Sequence, residues 1–242
     1  MKYYLLGGSG VIGTSMSKLF NSSNIKFEII GRNSPLSSIV NPDFNYIDLN
    51  NYDFRNDILV YMLPGNRHEN IKNITSFCNN FGKLNFKTVI FFSSISSFKS
   101  FKIDAISELT KKNDPYGKRY CELYLTKNLL NTKITILRLG MVINAKTRWD
   151  DFITRIRAND LRFPPYRKAL PIASVDDIFE TITNLPKETY IHLPNISPSL
   201  TALDLIVSTT FFSAFYKYMV YLFMNLNIIN LKLFKFIFFK DD

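Results

Sequence analysis

Apolar and polar positions fall in blocks whose period changes along the chain. Residues 2–6, 26–30, 58–63, 88–92 and 135–139 are short apolar runs. They are closed by Gly7, Gly31, Pro64-Gly65, Ser93-Ser94 and Gly140 respectively. Short apolar runs with turn residues behind them predict buried strands. Residues 45–47 form a shorter one that ends at Asp48. Between these runs the period lengthens. Ile12, Met16 and Leu19 have helical spacing over residues 11–20, and residues 70–81 fit a second helix. Residues 115–130 fit a third, with Pro115 at its start and Leu123, Leu125, Leu129 and Leu130 apolar. Strands alternating with helices predict parallel βαβ units and a sheet covered on both faces. Right-handed crossovers then make the fold class α/β, a Rossmann-type doubly wound sheet.

The pattern loosens beyond Gly140. Residues 1–140 are read as a dinucleotide-binding domain, and 141–204 as proline-rich substrate-binding elements interleaved with it. Residues 205–242 change character again. From 205 to 231 there is a single charge, Lys217, and from 231 to 240 apolar residues alternate with lysines. A spanning helix needs about 20 mostly apolar residues and would have to bury Lys217. Peripheral contact with a membrane through 205–240, lysines toward anionic lipid, is one reading. Helices that close the substrate lobe or a homodimer interface are the other.

Composition narrows the class. The 242 residues are 46% hydrophobic, enough for a packed core. The net charge of +10 favours anionic partners. Its lysines and arginines are scattered, which argues against nucleic acid and leaves phosphorylated small molecules. Cys78 and Cys121 are far apart, and His68 and His192 are the only histidines, so neither a disulfide framework nor a metal site is expected. No signal peptide is read at the start, so the expected compartment is the cytoplasm, at the inner membrane face if the tail binds lipid. Abundant Asn, Ile, Lys and Phe suit an AT-rich bacterial genome.

The strongest chemical signal is Gly7-Gly8-Ser9-Gly10-Val11-Ile12-Gly13, between the first strand and the first helix. Gly7 permits the tight turn, Gly10 lets a pyrophosphate approach the backbone, and Gly13 lets helix and strand pack closely. The helix N-terminus, opened by Val11 and Ile12, holds the anion. At the end of the second strand, Arg32 stands where an acid would select NAD. It suits the 2′-phosphate of NADP(H), which is therefore expected in preference to NAD(H).

Over roughly residues 1–200 the chain resembles the extended short-chain dehydrogenase/reductases, the NAD-dependent epimerase/dehydratase family. Residues 6–13 look like its TGGxGFIG turn, with Leu6 for Thr. Asp48-Leu49 resembles the Asp-Leu pair whose Asp meets adenine. Phe92-Ser93-Ser94 resembles its serine cluster, with Ser94 at the catalytic position. Tyr116-Gly117-Lys118-Arg119 resembles the start of its YxxxK element, with Glu122 close behind. Arg138-Leu139-Gly140 and Ala173-Ser174-Val175-Asp176-Asp177-Ile178 look like two further segments, although Asp176 and Asp177 also suit a helix cap near Ile178.

The resemblance implies hydride transfer between nicotinamide and a sugar carbon, with Tyr116 moving the accompanying proton and Ser94 hydrogen-bonded to the sugar oxygen. A phenol with a pKa of about 10 works near neutral pH only beside positive charge. The family's lysine lies four residues on, yet here that residue is Tyr120. On one continuous helix Arg119 shares the face of Tyr116, whereas Lys118 points about 200° away. Three readings follow: Arg119 as surrogate, slow catalysis helped by the oxidised nicotinamide alone, or catalysis lost.

The expected function is an NAD(P)-dependent oxidoreductase or epimerase of a nucleotide-activated sugar, in bacterial surface polysaccharide biosynthesis. Arg148, Arg155, Arg162 and Arg167 are candidates for the substrate diphosphate, and Trp149 for stacking or core packing. The alternatives are a non-catalytic dinucleotide-binding sensor or scaffold, and a reductase of small carbonyl compounds.

Overall fold

The computed structural model describes residues 1–31, 39–40, 53–81, 84–95, 97, 105–143, 145, 172–184 and 187–193. The elements are β1 (Tyr3–Leu6), α1 (Val11–Ser22), β2 (Phe27–Gly31), β3 (Ile39–Val40), β4 (Ile58–Tyr61), α2 (Arg67–Phe81) and β5 (Thr88–Ser94). They continue with α3 (Lys118–Asn128), β6 (Lys133–Leu139), β7 (Met141–Ile143), β8 (Ile172–Ser174), α4 (Val175–Thr183) and β9 (Tyr190–Leu193). Among the described residues the main sheet has 7 strands in the order β3-β2-β1-β4-β5-β6-β9, with every pairing parallel. β7 and β8 form a separate parallel pair. The strand expected at 45–47 lies outside the described residues.

Strand alternation divides the core in two. Tyr4, Leu59, Tyr61, Val89 and Phe91 pack with Ile74 and Phe77 of α2 and Cys121 and Leu125 of α3. Tyr3, Leu5, Ile58, Val60, Ile90, Phe92 and Leu137 pack with Met16 and Phe20 of α1 and Ile178 and Ile182 of α4. Both faces are covered, so the strands read as unbroken apolar runs. Phe20 meets Phe179 edge-on at 5.2 Å, joining α1 to α4. Truncating Phe20 to alanine costs about 3–5 kcal/mol.

Polar caps decide where helices begin. α2 starts at Arg67, ahead of the expected 70, because Asn66 and Glu69 cap each other. Asn66 N–H donates to Glu69 Oε2 at 2.9 Å, and Glu69 N–H donates to Asn66 Oδ1 at 3.1 Å. α4 has the same device. Asp177 N–H donates to Ser174 Oγ and Ser174 N–H to Asp177 Oδ2, both at 3.0 Å, so the helix opens at Val175. Asp177 thus has the capping role. α3 starts at Lys118 rather than 115, since Gly117 adopts φ 66° and ψ 14°.

Candidate active site

The strand order reverses between β1 and β4. After β1 the chain builds outward to β2 and β3, then returns to place β4 on the other side. In open parallel sheets, ligands sit in the crevice at such a reversal, beyond the carboxyl ends of the strands. The glycine turn stands there. Gly7 has φ 87°, and Gly10 caps α1 in an extended conformation. A Cβ on Gly13 would lie 2.4 Å from the Gly8 Cα, so only glycine lets α1 approach the turn this closely. α1 has neither a capping side chain nor an acidic residue in its first turn. No residue of α1's own first turn neutralises its positive end, and a pyrophosphate fits. Val11 is exposed there, while Ile12 turns into the core. A cleft of about 450 Å³ borders the same helix, lined in part by Val11, Ser15, Lys18 and Asp176.

Tyr116 lies on the loop before α3 and is 51% exposed. Two residues of α2 tie this loop down. Asn70 Nδ2 donates to the Tyr116 carbonyl at 2.9 Å and to the Gly65 carbonyl at 2.8 Å. The Arg67 guanidinium donates to the Asp114 carbonyl at 3.2 Å and to the Leu109 carbonyl at 3.0 Å. Buried Asp114 accepts from the backbone N–H of Arg119 at 3.2 Å and of Tyr120 at 2.9 Å. Gly65 follows β4 beside the crevice, so Asn70 links that turn to the Tyr116 loop. Nothing in the sequence pattern singles out Asn70 or Asp114.

Glu122, fully buried, gathers polar groups from three elements. It accepts from Ser93 Oγ at 2.6 Å, Ser97 Oγ at 2.8 Å, Arg119 Nη1 at 3.0 Å, and Arg138 Nε and Nη2 at 3.0 and 2.6 Å. Burial pushes its carboxyl pKa up, but Arg138, Ser93 and Ser97 more than reverse that and hold it below its ordinary 4.5. Two adjacent serines thus part company. Ser93 serves Glu122, while Ser94, half-buried, ends β5 opposite Leu139.

This geometry revises the expectation for Arg119. Tyr116 is not on the helix, because the left-handed Gly117 stands between them and restarts the helical phase. Arg119 is 5% exposed and its guanidinium lies on Glu122. Tyr120 stacks on Tyr124, centroids 5.7 Å apart, against the core. Lys118 turns back toward the sheet. Its Nζ lies 3.5 Å from the Phe92 carbonyl oxygen and 5.3 Å from the centre of the Phe91 ring.

Arg32, Asp48, Leu49, Arg148, Trp149, Arg155, Arg162, Arg167 and residues 205–240 lie outside the described residues. Among the described residues no helix is long and apolar enough to cross a membrane.

No family model and no curated protein matches this sequence. Solved structures do match in fold. The UDP-N-acetylglucosamine 4-epimerase from Bacillus cereus superposes with a TM-score of 0.63 at 16% identity, over 86% of this chain and 80% of that one. TunA, an NAD-dependent NDP-hexosamine 5,6-dehydratase of tunicamycin biosynthesis, gives 0.59 at 12%, over 79% and 74%. The Bordetella bronchiseptica enzyme WbmG, in complex with NAD, gives 0.55 at 12%, over 80% and 72%.

Proposed function

We propose that this chain is a dinucleotide-dependent oxidoreductase or epimerase of a nucleotide-activated sugar. The observation that carries the reading is the glycine turn at the strand-order reversal, with an uncapped α1 and the Tyr116 loop tied to the same crevice through Asn70. The fold-level likenesses support it, since the 4-epimerase and TunA are named for nucleotide-sugar reactions, and TunA and WbmG are described with NAD. We take NAD(H) as the cofactor. The expected preference for NADP(H) rests on Arg32, with Asn33 and Ser34 as further donors, and NADPH is the comparison in the test.

Gly7, Gly10 and Gly13 with the backbone of Val11 and Ile12 would hold the pyrophosphate, and Asp48 with Leu49 the adenine end. Bound there, the dinucleotide supplies a hydride donor or acceptor at its nicotinamide ring. Tyr116 gives or takes the proton on the sugar oxygen, and Ser94 hydrogen-bonds that oxygen and orients it. Arg119 acts at one remove, by fixing Glu122 and with it the start of α3. A place in bacterial surface polysaccharide assembly, and lipid or self contact through 205–240, extend the reading by analogy.

One observation favours a second reading, a non-catalytic dinucleotide-binding protein. Position 120 is filled by a stacked tyrosine. Calorimetric titration with NADH and NADPH, then turnover of UDP-sugars by wild type and Tyr116→Phe, separates the two. The enzyme reading expects the variant to keep cofactor affinity within about twofold and to lose turnover by about 100-fold or more. Binding with no turnover of any nucleotide sugar favours the second reading. No binding of either cofactor sinks both.

A further inference from the structure

β5 overhangs its neighbour β4 at the carboxyl end of the sheet. Its pairing with β4 ends at Tyr61 and Phe91, whereas its pairing with β6 continues to Ser94 opposite Leu139. Among the described residues, Phe92, Ser93 and Ser94 therefore have a strand partner on one side only. Strand ends with few backbone bonds open most readily. A side chain at such an end keeps one position only if the chain leaving it is held by something else.

Ser97 is placed to do this. It is buried, and its Oγ lies 2.6 Å from the Ser94 carbonyl oxygen and 2.8 Å from Glu122 Oε1. A hydroxyl has one hydrogen, and both oxygens are acceptors while Glu122 is ionised, so that hydrogen is shared between them. Ser93 Oγ, 3.5 Å from Ser97 Oγ, donates to the same carboxylate oxygen at 2.6 Å. Glu122 is in turn fixed by Arg119 of α3 and Arg138 of β6. One buried hydroxyl thus ties the Ser94 carbonyl to a charge cluster anchored on two other elements.

We propose that Ser97 is a positioning residue for the reaction, bridging the Ser94 carbonyl to Glu122 and so fixing the backbone from which Ser94 presents its hydroxyl to the sugar oxygen. The proposal rests on the oxidoreductase or epimerase reading above, with Ser94 on that oxygen. A reacting group must be held within about 0.5 Å of its productive geometry. A misplacement of about 1 Å costs about 100-fold in rate. Ser97 touches neither dinucleotide nor sugar in this role and acts only through Ser94.

The test uses the whole chain and a set of nucleotide sugars that includes UDP-glucose and UDP-N-acetylglucosamine, with NAD. Turnover, NADH affinity by calorimetry and thermal melting are measured for wild type, Ser97→Ala, Ser94→Ala and the double variant. Exposed Ser22 donates to the Leu19 carbonyl at 3.0 Å, so Ser22→Ala is the control for loss of a local serine bond. Ser97→Ala is expected to keep KM and NADH affinity within about threefold of wild type while kcat falls about 10- to 100-fold. Its melting temperature should fall by about 2–4 °C, as for one buried hydrogen bond in a chain of this size. In the Ser94→Ala background the same substitution should change kcat by less than about twofold, because the group it positions has gone. Ser22→Ala should stay within about twofold of wild type throughout. Wild-type kcat in Ser97→Ala overturns the proposal. So does a kcat loss that is as large in the Ser94→Ala background, or one matched by a loss of NADH affinity, since either makes Ser97 a packing residue alone. A wild type that turns over no nucleotide sugar overturns the parent reading and this one together, and its own baseline reveals that before any variant is compared.

Discussion

The side-chain nitrogen of Asn70 holds the carbonyl of Tyr116 at 2.9 Å. The same nitrogen holds the Gly65 carbonyl at 2.8 Å, and Asn70 is only 3% exposed. One amide thus couples the turn after β4 to the loop that carries the candidate acid/base. Asn70→Ala leaves two carbonyls without this donor and is expected to cost about 1–3 kcal/mol. Asn70→Asp should cost more, because a carboxylate would face two carbonyl oxygens. Urea denaturation of the three proteins checks the order. An Asp variant as stable as the Ala variant would show that the amide is not the coupling group.

Gly13 and Gly10 should separate on substitution. A Cβ on Gly13 meets the Gly8 Cα at 2.4 Å, whereas one on Gly10 meets only the Gly7 carbonyl, at 3.2 Å. Backbone against backbone cannot relax cheaply, so Gly13→Ala is expected to lose about 1–3 kcal/mol. Gly10→Ala should lose much less stability but still weaken NADH binding, since its Cβ stands where the pyrophosphate approaches. Thermal melts and NADH titrations of both variants give the comparison.

Glu122 accepts from Arg119, Arg138, Ser93 and Ser97. Glu122→Gln removes a carboxylate paired with two buried guanidinium groups and should cost about 3–5 kcal/mol. The pH dependence has a definite sign. The folded-state pKa lies below the ordinary 4.5, so the stabilisation is present above 4.5 and is lost as pH falls through the folded value. Urea midpoints from pH 7 downward should therefore fall less steeply at acid pH in the variant than in wild type. Parallel curves would assign acid sensitivity to other carboxylates.

Both cysteines should be inert while the protein is folded. Burial pushes Cys78 and Cys121 up to about 12, with Lys118 opposing the shift at Cys121. At neutral pH the thiolate, the reactive form, is then about one part in 100,000. Iodoacetamide should label neither in native protein and both in denaturing urea, read by mass spectrometry. Rapid native labelling of Cys121 would mean that α3 opens from the sheet.

Much of the fold was legible because its signals are local. The runs closed by Gly7, Gly31, Pro64 and Ser93 are buried on both faces, and each became a strand ending near its turn residue. The glycine turn was legible for a similar reason, since its strand and helix adjoin it in sequence. Caps were harder. Asn66 with Glu69 and Ser174 with Asp177 have the spacing of capping boxes, yet Asp176 and Asp177 alone stood out in the sequence as capping residues, and of these Asp177 makes the box. Periodicity placed Tyr116 on a helix because dihedral angles leave no mark on it. Gly117 was visible, but its left-handed conformation was not.

By itself, then, the sequence determined the alternating α/β order, the two-faced burial of the strands and the glycine turn, all set by spacing over a few residues. Only the tertiary structure decided which charges meet. Arg119 and Arg138 converge on Glu122 from one helix and one strand, Asn70 bridges two loops distant in sequence, and Lys118 turns inward to β5. The physical reason is that a buried charge is tolerated only beside its partners. The partners here come from different elements, so their meeting is a property of sheet register and helix packing, which no local pattern encodes.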